Sequence, residues 1–419
     1  MIGLADCNNF FVSCERSVNP SLEGIPVVVM SNNDGCVVAR SNEAKQLGIK
    51  MGQPVFEIRQ LINSKKVVAL SGNHLLYRDI SLRVHDIFRR YIPATIDYSV
   101  DEAFLDMDGI PASELPVIGE AIFQACWKEA HIPVTIGFSY SKTLSKIITE
   151  VCKKRKTHVG VLTDENEIRP ILASLPVSEL WGIGRRLAKR LYESGVYTIE
   201  DFRQCNRQWV RSKMGVTGER SWLELNGIDC ISLESIGRIM QDSISQTRTF
   251  PFDVSDYDYI RSRIMIYAAS CAKKLRAMNC MCNQVSVFLR TNRFHTEKGI
   301  DNPFTTIRLQ RPSHDTNIIS SAAVIGLYSI FNKGFSYKRA GVILSEISPY
   351  KVYAPSLFDD DYNYITSKDR VTDKFMHTID QINFDIKHPL IKLAAQLTTG
   401  HPWHNDGYSS SFQAPSDLK

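Results

Sequence analysis

The chain has no long apolar run. Its longest, near Ala322 to Phe331, is well short of the ~20 residues that a helix needs to cross a bilayer, so no membrane span is expected. It lacks a basic leader as well: Met1-Ile2-Gly3-Leu4-Ala5-Asp6 meets a carboxylate at once, and no secretory signal is expected. The ten cysteines include no CxxC pair, and Cys280-Met281-Cys282 has no matching partner. They read as reduced thiols of a cytoplasmic protein. Nor is the charge lopsided. Lys and Arg number 50 against 45 Asp and Glu, a net charge of +5, so any nucleic-acid surface must come from local clusters. What remains is the composition of a soluble globular protein, 43% hydrophobic and 23% charged over 419 residues. That length exceeds one ordinary core and suggests roughly two to four domains.

Three carboxylates stand out. Residues 95–100 are rich in β-branched and aromatic types and 103–107 are apolar again, so the pattern predicts two strands. On a regular strand the neighbouring Asp101 and Glu102 point to opposite faces; they converge only if the chain turns there. Asp6 ends another short apolar strand, 2–5. Carboxylates at strand ends suit Mg²⁺, which takes a few carboxylates plus substrate phosphates. Two such ions clamp the attacking and leaving oxygens of a phosphoryl displacement. Solvated turn residues are the plain alternative for all three. Phe10 and Phe11 follow closely. Each is a core residue by type, or one lies beneath a bound sugar and excludes a 2′-hydroxyl, the group that separates RNA from DNA.

Residues 25–30 read as a buried strand, and the turn Ser31-Asn32-Asn33-Asp34-Gly35 leads to a second strand ending at Arg40. Residues 41–50 predict a short helix ended by Gly48. Its N-terminus, with Ser41 as cap and Lys45 one turn inward, suits an anion; a solvated surface helix is the alternative. Helices are expected over 75–91, 114–130 and 142–152, with a strand over 134–139. The order β, then αββαβα, points to an antiparallel sheet backed by helices, with 25–73 inserted after the first strand. Ser141-Lys142, Lys146 and Lys153-Lys154-Arg155-Lys156 gather charge on and just past one helix, which suits phosphate binding.

Leu180-Trp181-Gly182-Ile183-Gly184-Arg185-Arg186 sets a Gly-x-Gly turn between helix-forming flanks. Backbone N–H groups at Gly182 and Gly184 can approach a phosphate while the next helix points its N-terminus at it. Arg185, Arg186, Lys189 and Arg190 add charge beside the turn. This is the pattern of a helix-hairpin-helix, which grips the DNA backbone without reading its sequence. Residues 230–242 read as a linker. Residues 243–350 form a separate α+β unit with helices at 257–278 and 318–331, strands at 284–290, 304–311 and 340–346, and Arg290, Arg293, Arg308 and Arg311 on or beside the strands. In the tail, 368–392 suits a helix, and His401-Pro402-Trp403-His404 reads as a surface loop.

Asp6 with Phe10-Phe11, the 31–50 segment and Ser99-Val100-Asp101-Glu102-Ala103-Phe104 together resemble the Y-family, or translesion, DNA polymerases. Within that family, Ser-Asn-Asn-Asp-Gly-Cys-Val-Val-Ala-Arg at 31–40 and the Leu180 to Arg186 run are similar to the UmuC branch, the catalytic subunit of bacterial DNA polymerase V and its plasmid-borne relatives. The resemblance covers about the first 350 residues. It implies an α+β right-hand polymerase: a ferredoxin-like palm (1–15 and 74–165), small fingers (16–73), a helix-hairpin-helix thumb (166–229), a linker (230–242), an α+β little finger (243–350) and a tail (351–419).

The resemblance further implies that Asp6, Asp101 and Glu102, with the Cys7 backbone carbonyl, hold two Mg²⁺ ions, Mn²⁺ being the other candidate. It makes Phe11 the steric gate against ribonucleotides and places Phe10, Lys45 and Lys153 on the triphosphate. Asn42 stands where many relatives carry a tyrosine. Gly182, Gly184, Arg185, Arg186, Lys189, Arg190 and Arg248 are implied DNA contacts, Arg248 within the polar run Ser245-Gln246-Thr247-Arg248-Thr249-Phe250. Implied partners are primer-template DNA, a deoxynucleoside triphosphate, a UmuD-like accessory subunit, a RecA-type recombinase and, through Ser356-Leu357-Phe358, a sliding clamp. The expected activity is error-prone translesion synthesis in the SOS response, in a bacterial, nucleoid-associated protein. The rival readings are a catalytically silent DNA-binding scaffold on the same fold, and a palm-type nucleotide cyclase, which needs neither thumb nor little finger.

Overall fold

The computed structural model describes residues 1–31, 34–232, 242–294, 299–350, 374–383 and 391. They fall into two compact units, one ending at 232 and one beginning at 242.

The first unit opens with β1 (Ile2–Cys7) and α1 (Phe10–Val18). β2 (Val27–Met30), β3 (Val37–Arg40), α2 (Asn42–Gln46), α3 (Val55–Asn63) and β4 (Val68–Ser71) then build a three-stranded sheet, ordered β3-β2-β4. Its small core holds Val28, Met30, Val37, Ile49 and Ile58. Next come α4 (His74–Tyr91), β5 (Thr95–Asp97), β6 (Glu102–Asp106), α5 (Leu115–Ala130), β7 (Val134–Ser139), α6 (Lys142–Arg155) and β8 (Val159–Leu162). With β1 they make a five-stranded sheet ordered β5-β6-β1-β7-β8, and β1 runs antiparallel to both of its neighbours.

Strand alternation sorts this sheet into two faces. Ala5, Cys7, Ala103 and Leu105 join the core formed with α4 and α5, where Leu76, Ile80, Val84 and Ile122 are buried. Leu4 and Phe104, cross-strand partners, lie on the other face with Asp6 and Glu102, also partners. That face receives α6, whose start is capped by the Ser141 hydroxyl accepting from the Leu144 N–H. Gly137 on β7 permits the contact: a Cβ there would stand 2.4 Å from Thr149 Oγ1 and 2.6 Å from Ile148 Cγ2.

Beyond β8, α7 (Glu165–Ser174), a 3₁₀ turn (Val177–Glu179), α8 (Arg185–Glu193), α9 (Ile199–Arg203) and α10 (Arg207–Leu225) pack around Leu172, Val177, Ile183, Leu191 and Phe202.

The second unit contains β9 (Ser243–Val254), α11 (Tyr257–Ala277), β10 (Cys280–Thr291), β11 (Phe304–Ser313), α12 (Thr316–Ile330) and β12 (Tyr337–Pro349). The sheet is antiparallel in the order β11-β10-β12-β9, and residues of α11 and α12 share its apolar core. A helix at 374–383 returns to this unit, where Asp380 meets the buried Arg276 at 2.6 Å.

Several elements differ from the pattern of the sequence. The strand expected over 95–100 stops at Asp97, because the Tyr98 and Ser99 N–H groups both turn back to the Glu102 carbonyl, each at 3.0 Å. A short 3₁₀ turn, not a full helix, immediately precedes the Gly-x-Gly turn. The polar run around Arg248 lies on the 12-residue edge strand β9. Ser356-Leu357-Phe358 and His401 to His404 lie outside the described residues, as does most of 230–242. No described helix is long and apolar enough to cross a membrane. All ten cysteines are free, seven of them buried.

Candidate active site

Asp6 sits on the central strand, and the register sets Glu102 directly beside it. The turn at 98–101 then supplies the third carboxylate: the Cys7 N–H donates to the Asp101 carbonyl at 2.8 Å, which ties the turn to the end of β1. Asp101 thereby faces the same pocket as Asp6, and Ser99 Oγ holds its carboxylate. So the two adjacent acids do diverge from a regular strand, as their spacing requires.

The pocket measures about 240 Å³ and is lined by Asp6, Cys7, Asn9, Phe10, Phe11, Val38, Ala39, Arg40, Lys45, Met51, Asp101 and Lys153. Two acids, Asp6 and Asp101, share it with three cations, Arg40, Lys45 and Lys153. Lys45 Nζ donates to Asn9 Oδ1 at 2.7 Å and to Asn42 Oδ1 at 3.4 Å, and Asn9 Nδ2 donates to Asn42 Oδ1 at 3.1 Å, so Asn42 supports the lysine both directly and through Asn9. Burial and the neighbouring Arg40 and Lys153 charges hold Lys45 below the usual lysine range. A group in that position gains from an incoming anion.

The two phenylalanines have separate fates. Phe10 is buried in the core of the sheet. Phe11 is half-buried and stacks on Tyr77, with centroids 4.4 Å apart and planes 15° from parallel. The Tyr77 hydroxyl donates to Glu15 Oε1 at 2.7 Å, which fixes the ring under Phe11.

Two lysines from α6 reach the acids. Lys153 Nζ lies 2.6 Å from Asp6 Oδ2 and 2.8 Å from Glu150 Oε1, and Lys146 Nζ pairs with Glu102 Oε1. Burial pushes Asp6 up to about 8; Lys153 opposes the shift, and a hydrogen bond to Glu102 adds to it. Burial works the same way on Glu102, but the hydrogen bond with Asp6 and the Lys146 ammonium outweigh it and hold Glu102 below the usual range. The pKa values of the two neighbouring carboxylates are thus driven apart, Asp6 upward and Glu102 downward. A bound dication would relieve that crowding, and the donors, all carboxylate oxygens, are those Mg²⁺ prefers. Among the described residues no group of three or more His, Cys, Asp or Glu side chains is gathered so that it could hold a metal ion by itself. An ion here would take the rest of its ligands from water and substrate phosphate oxygens.

Of the sequence-derived site, Asp6, Cys7, Phe10, Phe11, Lys45, Asp101 and Lys153 share one pocket, and Glu102 adjoins it through Asp6. Three other lysines of α6, expected at phosphates, have carboxylate partners within the chain: Lys142 pairs with Asp229, Lys146 with Glu102 and Lys154 with Glu179. Gly182 takes φ 88°, and Arg185, Arg186, Lys189 and Arg190 are exposed on α8. Arg248 is exposed on β9 of the second unit. Arg40 and Asn9 were not singled out by the sequence. Arg40 ends a strand read for burial, and Asn9, the N-cap of α1, has φ 51° and no side-chain cap bond, which leaves its amide for Lys45.

Three family models match the chain. Residues 5–150 match the impB/mucB/samB family, 165–196 the HHH motif of the same family and 241–357 its C-terminal domain. The chain is 35% identical to protein ImpB of Salmonella typhimurium over 388 residues, 91% of this chain and 90% of that protein. The chain belongs to the impB/mucB/samB family. This is the UmuC branch of the Y-family DNA polymerases: protein UmuC of Salmonella typhimurium strain LT2 is also 35% identical, over 91% of this chain and 90% of its own length. DNA polymerase IV 2 of Bacillus subtilis strain 168 is 28% identical over 86% of this chain and 87% of that protein. Among solved structures, a Y-family DNA polymerase chimera of Dbh and Dpo4 superposes with a TM-score of 0.66 at 23% identity, covering 83% of this chain and all of that one, and so shares its fold. The family's right-hand polymerase fold is therefore the fold of this chain.

Proposed function

We propose that the translesion DNA polymerase activity of this chain runs through Asp6, Asp101 and Glu102, with the Cys7 carbonyl, as the seat of two divalent ions, Mg²⁺ by preference. One observation carries the reading: a single pocket joins two of these acids to Arg40, Lys45, Lys153 and the ring of Phe11. Held by these residues, the ions would supply Lewis acidity, lowering the pKa of the primer 3′-hydroxyl and offsetting the charge of the leaving pyrophosphate. The residues of the chain do the rest. Lys45 and Lys153, with Arg40, receive the triphosphate; Phe10 backs this wall from the core. Phe11, held on Tyr77, closes the space that a 2′-hydroxyl needs. The turn at Gly182 and Gly184 offers backbone N–H groups to DNA phosphates, with Arg185, Arg186, Lys189 and Arg190 beside it and Arg248 as a further DNA contact.

The substrates are then primer-template DNA and a deoxynucleoside triphosphate. This reading assigns 1–15 and 74–165 to the palm, 16–73 to the fingers, 166–229 to the thumb and 243–350 to the little finger. A UmuD-like subunit, a RecA-type recombinase and a sliding clamp are the proposed protein partners, and the bacterial nucleoid is the proposed location. Primer extension on undamaged and abasic templates, with and without an accessory subunit, tests the proposal. Asp101→Ala should abolish incorporation while primer-template binding stays within about twofold, because the basic grip is intact. Continued polymerisation by purified Asp101→Ala protein would overturn the assignment of the acids.

A further inference from the structure

One part of the Leu180 to Arg186 run has no role in the site as described: its tryptophan. The indole of Trp181 meets the ring of Tyr98 edge-on, with centroids 5.7 Å apart and planes at 86°. It also meets Phe104, at 6.1 Å. Tyr98 and Phe104 close the triangle at 5.4 Å and 63°. Edge-to-face contacts of this kind fix ring orientation as well as burying area. The three rings pack with Leu4 on the sheet face that carries Asp6 and Glu102.

The face of Tyr98 is in use as well. Lys146 Nζ lies 5.5 Å from its centroid, within the range where a ring quadrupole attracts an ammonium. The same ammonium is paired with Glu102 Oε1. Lys146 is therefore shared between a carboxylate and a ring, and the ring is set by Trp181. The backbone of Lys146 is fixed independently. Its neighbour Ser145 donates to the Ile2 carbonyl at 2.7 Å, and Thr149, one turn on, donates to the Leu4 carbonyl at 3.3 Å, both on β1. The head of the lysine is then placed by its two contacts, the Glu102 carboxylate and the Tyr98 ring.

We propose that Trp181 is a positioning residue for Glu102, acting through Tyr98 and Lys146. The turn that faces DNA and the carboxylate that faces the metal are thereby parts of one packed unit. The inference rests on Glu102 being a metal ligand, as proposed above. Partners that orient metal-binding carboxylates commonly change metal affinity or rate by ~10–100-fold when lost.

The test is a double-mutant cycle on the full chain, pairing Trp181→Ala with Lys146→Met. Two readouts are taken: Mg²⁺ affinity by calorimetry without nucleotide, and the single-turnover incorporation rate constant at saturating DNA and nucleotide. Trp181→Ala should weaken Mg²⁺ binding and slow incorporation on the order of tenfold, with DNA affinity within twofold. Trp181→Phe should restore both. In the Lys146→Met background, Trp181→Ala should change neither readout further, since the link is already cut. Tyr98→Phe should behave as the parent, because the ring and not the hydroxyl is used; Tyr98→Leu should copy Trp181→Ala and replaces it if that variant does not fold. Effects that multiply across the cycle would overturn the inference, and so would a Trp181→Ala defect confined to DNA affinity. Glu102→Gln separates the two levels. If it spares Mg²⁺ affinity and rate, the ligand assignment itself fails. If it abolishes them while Trp181→Ala and Tyr98→Leu do not alter them, only the role of Trp181 fails.

Discussion

At the scale of single residues, Asp6 makes a pH-dependent statement. Its carboxyl, pushed to about 8 by burial and by Glu102, keeps a proton at neutral pH, whereas an ion binds the carboxylate form. Mg²⁺ affinity should therefore rise with pH by about tenfold per unit below that value and level off above it. Calorimetry between pH 6 and 9 in buffers of different ionisation enthalpy measures both the slope and the released proton. A flat profile would place the proton elsewhere. Phe11 gives a second expectation. Phe11→Ala removes the ring stacked on Tyr77 and should raise ribonucleotide incorporation about tenfold or more relative to the parent. The lost stack should lower stability by about 0.5–1.5 kcal/mol beyond the loss of buried area. Competition between CTP and dCTP opposite template guanine reads the first effect. An unchanged preference would leave Phe11 as a packing residue and nothing more.

At the scale of elements, much of the site was legible before any coordinates. Ile2 to Ala5 is apolar and then breaks to Asp6, and the acid pair falls between two apolar runs, so the strand ends that carry the carboxylates announce themselves. The cap at Ser41, the helix near 75–91 and the strand over 134–139 follow from local pattern alone. What pattern does not carry is which charge meets which. Lys142, Lys146 and Lys154 look like a solvent-facing basic stripe, and their carboxylate partners come from elements that are distant in sequence. The edge strand β9 was hidden for another reason: its polar and charged residues suit an edge and blur the alternation by which strands are recognised. For α8 the expectation is electrostatic. Replacing Arg185, Arg186, Lys189 and Arg190 by glutamine should weaken binding alike on unrelated templates. It should also flatten the plot of log affinity against log salt by up to about 0.9 per phosphate contact removed. A salt titration on two templates decides it; an unaltered slope would return the four to a solvated helix face.

At the scale of the whole molecule, the chain does not end with its last sheet. The helix at 374–383 comes back to the second unit, where Met376 is buried and Asp380 pairs with Arg276. Arg276 also donates to the His314 carbonyl at 2.8 Å and to Thr316 Oγ1 at 3.0 Å. Removing one member of a buried pair strands the other, so Asp380→Ala should destabilise this unit by about 3 kcal/mol. Denaturant unfolding followed by fluorescence would show it, and a midpoint equal to the parent's would make the contact incidental.

The buried thiols bear on the conditions under which such an enzyme works. A thiol reacts as its thiolate, and burial pushes Cys126 and Cys282 up to about 12, Cys271 up to about 11 and Cys7 and Cys14 well above the ordinary value. Cys7 lies next to Asp6 in the chain with its side chain in the core on the opposite face of the sheet, where an oxidised or alkylated sulfur would disrupt the packing behind the pocket. Peroxides and electrophiles that scar DNA attack thiolates too. A polymerase that copies damaged DNA keeps these buried sulfurs in the form that reacts least.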